Sequence, residues 1–142
     1  MNEDLIKIHK QEQDINQLSP LTWAYIGDCV FELYIRTYLV DNTNLKPHKL
    51  HIESIKYVKA SSQAEMLNNI YEDLSDDEKD IVRRGRNAEN HHLPKNSNVQ
   101  EYIYSTAFEA LIGYLYLCNN TKRVKEIIEK SIEYRGKFGD SS

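Results

Sequence analysis

Apolar positions gather in two stretches of this chain, and each carries an acid at its centre. The first is Trp23-Ala24-Tyr25-Ile26-Gly27-Asp28-Cys29-Val30-Phe31-Glu32, around Asp28. The second is Tyr104-Ser105-Thr106-Ala107-Phe108-Glu109-Ala110-Leu111-Ile112-Gly113-Tyr114, around Glu109. Ser19 and Pro20, an N-cap followed by a residue suited to the first helical position, predict a helix from Pro20 to about Val40, which Asp41-Asn42-Thr43-Asn44 ends. Its centre is apolar nearly all round, which predicts a buried central helix. Val99 to about Cys118 predicts a second central helix, broken at Asn119-Asn120-Thr121.

Between the two, Pro47 opens a helix to about Val58. A further helix spans Ser61 to Leu74, with Ala64, Leu67, Ile70 and Tyr71 on one stripe. Ser75-Asp76-Asp77-Glu78 is a capping box whose helix ends near Asn87. Residues 87–98 are rich in Asn and Ser, contain Pro94 and keep no periodicity, so they read as the one long loop. A last helix runs to about Tyr134 with Val124, Ile127, Ile128 and Ile132 on its apolar face. A short helix with Leu5, Ile8 and Ile15 on one side precedes Ser19, and 136–142 frays. No stretch alternates as a half-buried strand does. The expected architecture is all-α, six to seven helices in one domain over 1–142 with a core from about 18 to 134.

Composition changes this picture little. A chain of 142 residues, 40% hydrophobic, holds one real core. No run is long enough to cross a membrane, and the polar, mixed-charge start is not a signal peptide. Cys29 and Cys118 lie in apolar stretches and read as small core residues of a protein in a reducing compartment, the cytoplasm. The net charge of −4 argues against a nucleic-acid partner, but its distribution is uneven. Residues 72–80 hold six acids and one lysine, whereas 83–98 hold Arg83, Arg84, Arg86 and Lys95 against Glu89 alone. Such a strip steers a polyanion or is simply a solvated surface.

A lone carboxylate in apolar surroundings is costly unless it is paired, protonated or bound to a cation. Two of them in one small chain suggest that Asp28 and Glu109 meet with a metal ion between them. Small residues share their faces: Ala24 lies four before Asp28, Ser105 four before Glu109, and Gly113 four after it. Gly27 and Gly113 are otherwise poor choices inside helices. They are read as room for an ion, its waters and a substrate backbone. Carboxylates and water suit a hard cation such as Mg²⁺, and one or two protein carboxylates plus phosphate oxygens is the usual arrangement in phosphoryl chemistry. The competing reading makes each acid a core partner of Arg36 or of a tyrosine, and the residues alone leave both open. His48 and His51, with no third ligand spaced nearby, read as an exposed pair. There is no Gly-rich phosphate loop and no nucleophile triad, and Cys29 in its apolar setting is not a reactive thiol.

At these residues the chain resembles ribonuclease III. Tyr25-Ile26-Gly27-Asp28-Cys29-Val30 is similar to the core of that family's signature, and Phe108-Glu109-Ala110-Leu111-Ile112-Gly113 to its second motif. Arg84-Gly85-Arg86-Asn87-Ala88, Pro94-Lys95, Val99-Gln100 and the run from Tyr104 to Leu115 resemble the Mini-ribonuclease III subfamily, bacterial enzymes with the catalytic domain only. The resemblance covers about Leu18 to Tyr134. It implies an all-α homodimer of the ribonuclease III catalytic-domain fold. That dimer cleaves double-stranded RNA with Mg²⁺, for which Mn²⁺ substitutes, and leaves 5′-phosphate and 3′-hydroxyl ends.

By the same resemblance Asp28 and Glu109 are the catalytic, metal-binding acids, and Arg83, Arg84, Arg86, Asn87 and Lys95 are the candidates for RNA contact. Two positions that carry acids in the long-form enzymes hold Ala24 and Thr106 here, a departure the subfamily shares, which leaves fewer carboxylates for metal. No double-stranded-RNA-binding domain is expected after Ser142. The implied task is maturation of the large-subunit (23S) ribosomal RNA precursor, with ribosomal proteins on that precursor as further partners. The rival reading is a catalytically weak or inactive RNA-binding scaffold on the same fold. The dimer surface is expected on the apolar side of the first central helix, at Trp23 and Phe31.

Overall fold

A computed structural model of the chain describes residues 6–88 and 98–138, without the side chains of 135–138. Seven helices follow one another: α1 (Glu12–Asn16), α2 (Pro20–Asn42), α3 (Pro47–Val58), α4 (Ala60–Ile70), α5 (Asp76–Arg86), α6 (Val99–Leu117) and α7 (Thr121–Phe138), with a 3₁₀ turn at Tyr71–Asp73 between α4 and α5. Among the described residues there is no strand, and no helix is long and apolar enough to cross a membrane.

The caps act as the sequence predicts. The Ser19 hydroxyl accepts from the Leu21 N–H with Pro20 in the first turn, and Ser75 and Glu78 close a reciprocal capping box. At the end of α6, Asn119 takes the left-handed conformation (φ 62°). The Asn120 and Asn119 N–H groups then donate back to the Leu115 and Tyr116 carbonyls, which satisfies two of the acceptors left open at the end of the helix. The stripe of α4 differs in its ending: the α-helix stops at Ile70, and Tyr71 enters the 3₁₀ turn.

Helix α6 is the hub, packed most extensively on α2 and then on α4 and α5. Phe31 of α2 meets Phe108 of α6 edge to face, with ring centroids 5.2 Å apart. Trp23 meets Tyr114 in the same way at 5.1 Å, and its indole N–H donates to the Ile15 carbonyl at 2.8 Å, which ties α1 to α2. On the other side, Arg123 of α7 grips Glu78 through two hydrogen bonds, Nε to Oε2 at 2.7 Å and a terminal nitrogen to Oε1 at 2.8 Å. Burial pushes the Glu78 carboxyl up, but Arg123 and the Ser75 cap outweigh it and hold the acid below its ordinary range.

Two expectations about α2 are corrected here. Trp23 and Phe31 are fully buried within the chain, so neither is available to a second copy. Cys29 is exposed, not a core residue. The apolar residues on the outward face of α2 are Tyr25, Leu33 and Val40, exposed at 74%, 65% and 63%. They fall on one side of the helix, with Cys29 spaced between Tyr25 and Leu33.

Candidate active site

The two acids meet because two glycines let their helices touch backbone to backbone. A Cβ on Gly27 would fall onto the Glu109 carbonyl oxygen and lie 2.9 Å from the Gly113 nitrogen. One on Gly113 would fall onto the Trp23 carbonyl oxygen and lie 2.8 Å from the Gly27 nitrogen. Gly27 and Gly113 therefore make room for the partner helix and not, as expected from the sequence, for an ion and its waters. The turn that carries Asp28 is pressed against the turn that carries Glu109.

The Asp28 carboxyl is exposed and the Glu109 carboxyl half-buried beside it. Burial, then the charge and hydrogen bond of Asp28, push Glu109 up to about 8, and Glu32 adds to the effect from one turn further along α2. The shift favours the protonated form of Glu109, hydrogen-bonded to Asp28, in the metal-free protein. Arg36 is not the partner of Asp28: its guanidinium takes Glu32 at 2.8 Å. Among the described residues no basic side chain forms an ion pair with Asp28 or Glu109, so the core-ion-pair reading loses its partner.

A third side chain completes the setting, and sequence reasoning missed it. Gln63 of α4 is 1% exposed. Its amide faces Glu109 and draws that acid's pKa down, yet its Nε2 meets no acceptor at full hydrogen-bond geometry. The two observations agree on proximity and differ on alignment; the donor points into the site without a bond of proper angle and length. The signal in the sequence was its place at the head of the 63, 66, 67, 70 stripe, where Met66, Leu67 and Ile70 are all core.

Among the described residues no three His, Cys, Asp or Glu side chains converge as a metal site. Two adjacent carboxyls, one of them exposed, are nevertheless a ligand set that suits Mg²⁺, which keeps most of its waters and takes one or two protein carboxylates.

The basic residues divide. The Arg84 guanidinium turns inward, donating to Asn16 Oδ1 at 3.0 Å and to the Asn16 carbonyl at 2.6 Å, and it lies over the Trp23 ring, 4.7 Å from the centroid. Arg83 is exposed and pairs with Asp80 at 2.6 Å. Arg86 and Asn87 are exposed at the C-terminal end of α5. That end is anchored on α6: Gly85 packs on Ala107 and Ala110. Lys95 and most of the 87–98 loop lie outside the described residues.

A family model for the ribonuclease III domain matches residues 21–120, which hold both acids, Gln63 and the basic end of α5. The chain belongs to the ribonuclease III family and is an endoribonuclease. Its relatives place it in the Mini-ribonuclease III branch: it is similar to Mini-ribonuclease 3 of Thermoanaerobacter sp. (strain X514), 51% identical over 122 residues and 86% of each chain. It is also similar to Mini-ribonuclease 3 of Staphylococcus aureus, 46% identical over 126 residues, 87% of this chain and 94% of that one. A crystal structure of a Fusobacterium nucleatum protein shares the fold with a TM-score of 0.76 at 32% identity, covering 88% of this chain and 98% of the other.

Proposed function

We propose that the chain is a divalent-metal-dependent endoribonuclease that cuts double-stranded RNA to 5′-phosphate and 3′-hydroxyl ends. Its cellular task is maturation of the 23S ribosomal RNA precursor in the cytoplasm, among the ribosomal proteins already on that precursor. The observation that carries the reading is the contact of Asp28 with Glu109 across the Gly27–Gly113 crossing. These two acids hold Mg²⁺, or Mn²⁺ in its place. The bound cation supplies an activated water and charge stabilisation at the scissile phosphodiester. Exposed Asp28 would offer its oxygens on the solvent side, where RNA arrives, and half-buried Glu109 would ligate as the carboxylate, its proton released to solvent.

Arg86 and Asn87, with Arg83 once it leaves Asp80, and Lys95 contact phosphates. Arg84 serves by fixing Asn16 and Trp23. Recognition rests on A-form shape and backbone, so affinity falls with salt. A homodimer is supported by the exposed Tyr25, Leu33 and Val40 of α2 and by Ile52 and Ile55 of α3, which packs on α2. Its two-fold axis sets the stagger of the two cuts.

Incubation with a long double-stranded RNA and Mg²⁺, beside Asp28→Asn and Glu109→Gln, tests the reading. Cleavage by the wild type alone is expected. Binding without cleavage across several metals and RNAs would establish the scaffold reading in its place and make Ala24 and Thr106 its cause.

A further inference from the structure

Among the described residues, Gln63 Nε2 is the one buried side-chain nitrogen or oxygen without a hydrogen-bond partner. The other buried polar groups have evident partners: Ser54 and Ser131 donate to carbonyls of their own helices, Ser62 to the Lys56 carbonyl, and Glu78 is gripped by Arg123. At the site itself, Ser105 and Thr106 both donate to the Tyr102 carbonyl, at 2.9 and 3.0 Å. Neither hydroxyl is therefore committed to Glu109. The position of Ala24, one turn before Asp28, carries no polar atom at all. What remains to steady Glu109 from the protein side is the Gln63 amide, on a third helix, with an unsatisfied donor beside the acid.

A buried donor without an acceptor is costly to keep, and a site whose ligand creates the missing acceptor recovers that cost on binding. A cation between Asp28 and Glu109 leaves both acids as carboxylates, which only accept hydrogen bonds. A Glu109 oxygen that did not ligate the cation would be left to accept from a protein donor, and Gln63 Nε2 is within the site to supply one. We propose that Gln63 is the positioning residue of the Asp28–Glu109 site: its amide bonds the Glu109 carboxylate in the cation-loaded protein and sets the affinity for the cation. The proposal rests on the metal reading given above. It makes α4, which carries neither acid, part of the metal centre, and it assigns to an uncharged amide a share of the control that additional carboxylates exert elsewhere in the family.

The test is Mn²⁺ binding without RNA, followed by the loss of the free-ion paramagnetic resonance signal, on wild type, Gln63→Met, Asp28→Asn and Glu109→Gln. Met preserves volume and removes the donor. Gln63→Asn, which keeps the amide on a shorter arm, is the second variant should the thioether not be accommodated. Loss of an outer-shell partner lowers metal affinity about 10- to 100-fold. A rise of that size in the Mn²⁺ dissociation constant is expected for both Gln63 variants, with a metal-free melting temperature no lower than wild type for Met. In wild type, Mg²⁺ is expected to shift the Gln63 side-chain amide proton resonances downfield, assigned by their absence in Gln63→Met.

A dissociation constant within twofold of wild type, or amide resonances that Mg²⁺ leaves unmoved, would overturn the proposal while leaving the metal site intact. Mn²⁺ binding that survives in both Asp28→Asn and Glu109→Gln would remove the metal site itself, and Gln63 with it.

Discussion

Glu109 is where burial and function oppose each other. An unfolded glutamate ionises near 4.5, whereas in the fold Glu109 is pushed up to about 8 by burial and by Asp28. Between those values the folded state binds more protons than the unfolded state, so stability falls as pH rises through that window and levels off above it. The span corresponds to a loss on the order of 5 kcal/mol. Urea unfolding of the metal-free protein from pH 5 to 9 should show the decline, and Glu109→Gln, which cannot ionise, should flatten it; an equal slope in the variant would refute the assignment. The basic residues separate in the same way. Arg84→Met should cost about 1–3 kcal/mol of stability, since it leaves the Asn16 carbonyl and the Trp23 face without their partner, and should leave the salt dependence of RNA binding unchanged. Arg86→Ala should do the reverse: unchanged melting, and a log–log salt slope smaller by about one.

At the scale of the elements, the α2–α6 crossing decides the site. Gly27→Ala places a methyl inside the Glu109 carbonyl, where rigid backbone stands and no flexible side chain can yield. A destabilisation of about 3 kcal/mol or more is expected in urea, together with lost cleavage in whatever fraction stays folded. A variant as stable as wild type would show that the helices part easily. This crossing also marks how far the helices could be read from the sequence. Their starts and stops were legible because Ser19-Pro20, the Ser75–Glu78 box and Asn119 act within one turn of chain. The acids announced themselves as charges amid apolar residues. What Gly27 and Gly113 face was not legible, because a glycine shows that something comes close without showing what. Cys29 misled for a related reason: α2 is apolar on its outward side too, and hydrophobicity alone does not separate a core from a surface awaiting a partner. Gln63 lay off the stripe of Ala64, Leu67, Ile70 and Tyr71 read from the sequence, and a single amide beside Met66, Leu67 and Ile70 carries meaning only once Glu109 is known to lie against it.

For the whole molecule, the outward stripe of α2 bears on assembly. Leu33 is 65% exposed and makes no part of the core, so Leu33→Lys should leave the fold of each chain intact. If the proposed dimer uses this face, sedimentation at micromolar concentration should change from dimer to monomer, and double-strand cleavage should weaken with it. A dimer that the Leu33→Lys substitution leaves unaltered would move the interface elsewhere. The contact of Gly27 with Glu109 has a consequence in time as well as in space. The two acids stand 81 positions apart along the chain, and neither half of the pair has its neighbour until α6 docks on α2. At ordinary elongation rates Asp28 is therefore translated roughly 4–16 s before Glu109. If the proposed pair is the catalytic site, the nascent chain lacks it until α6 has formed, while it is still surrounded by the structured RNA of the machine that makes it.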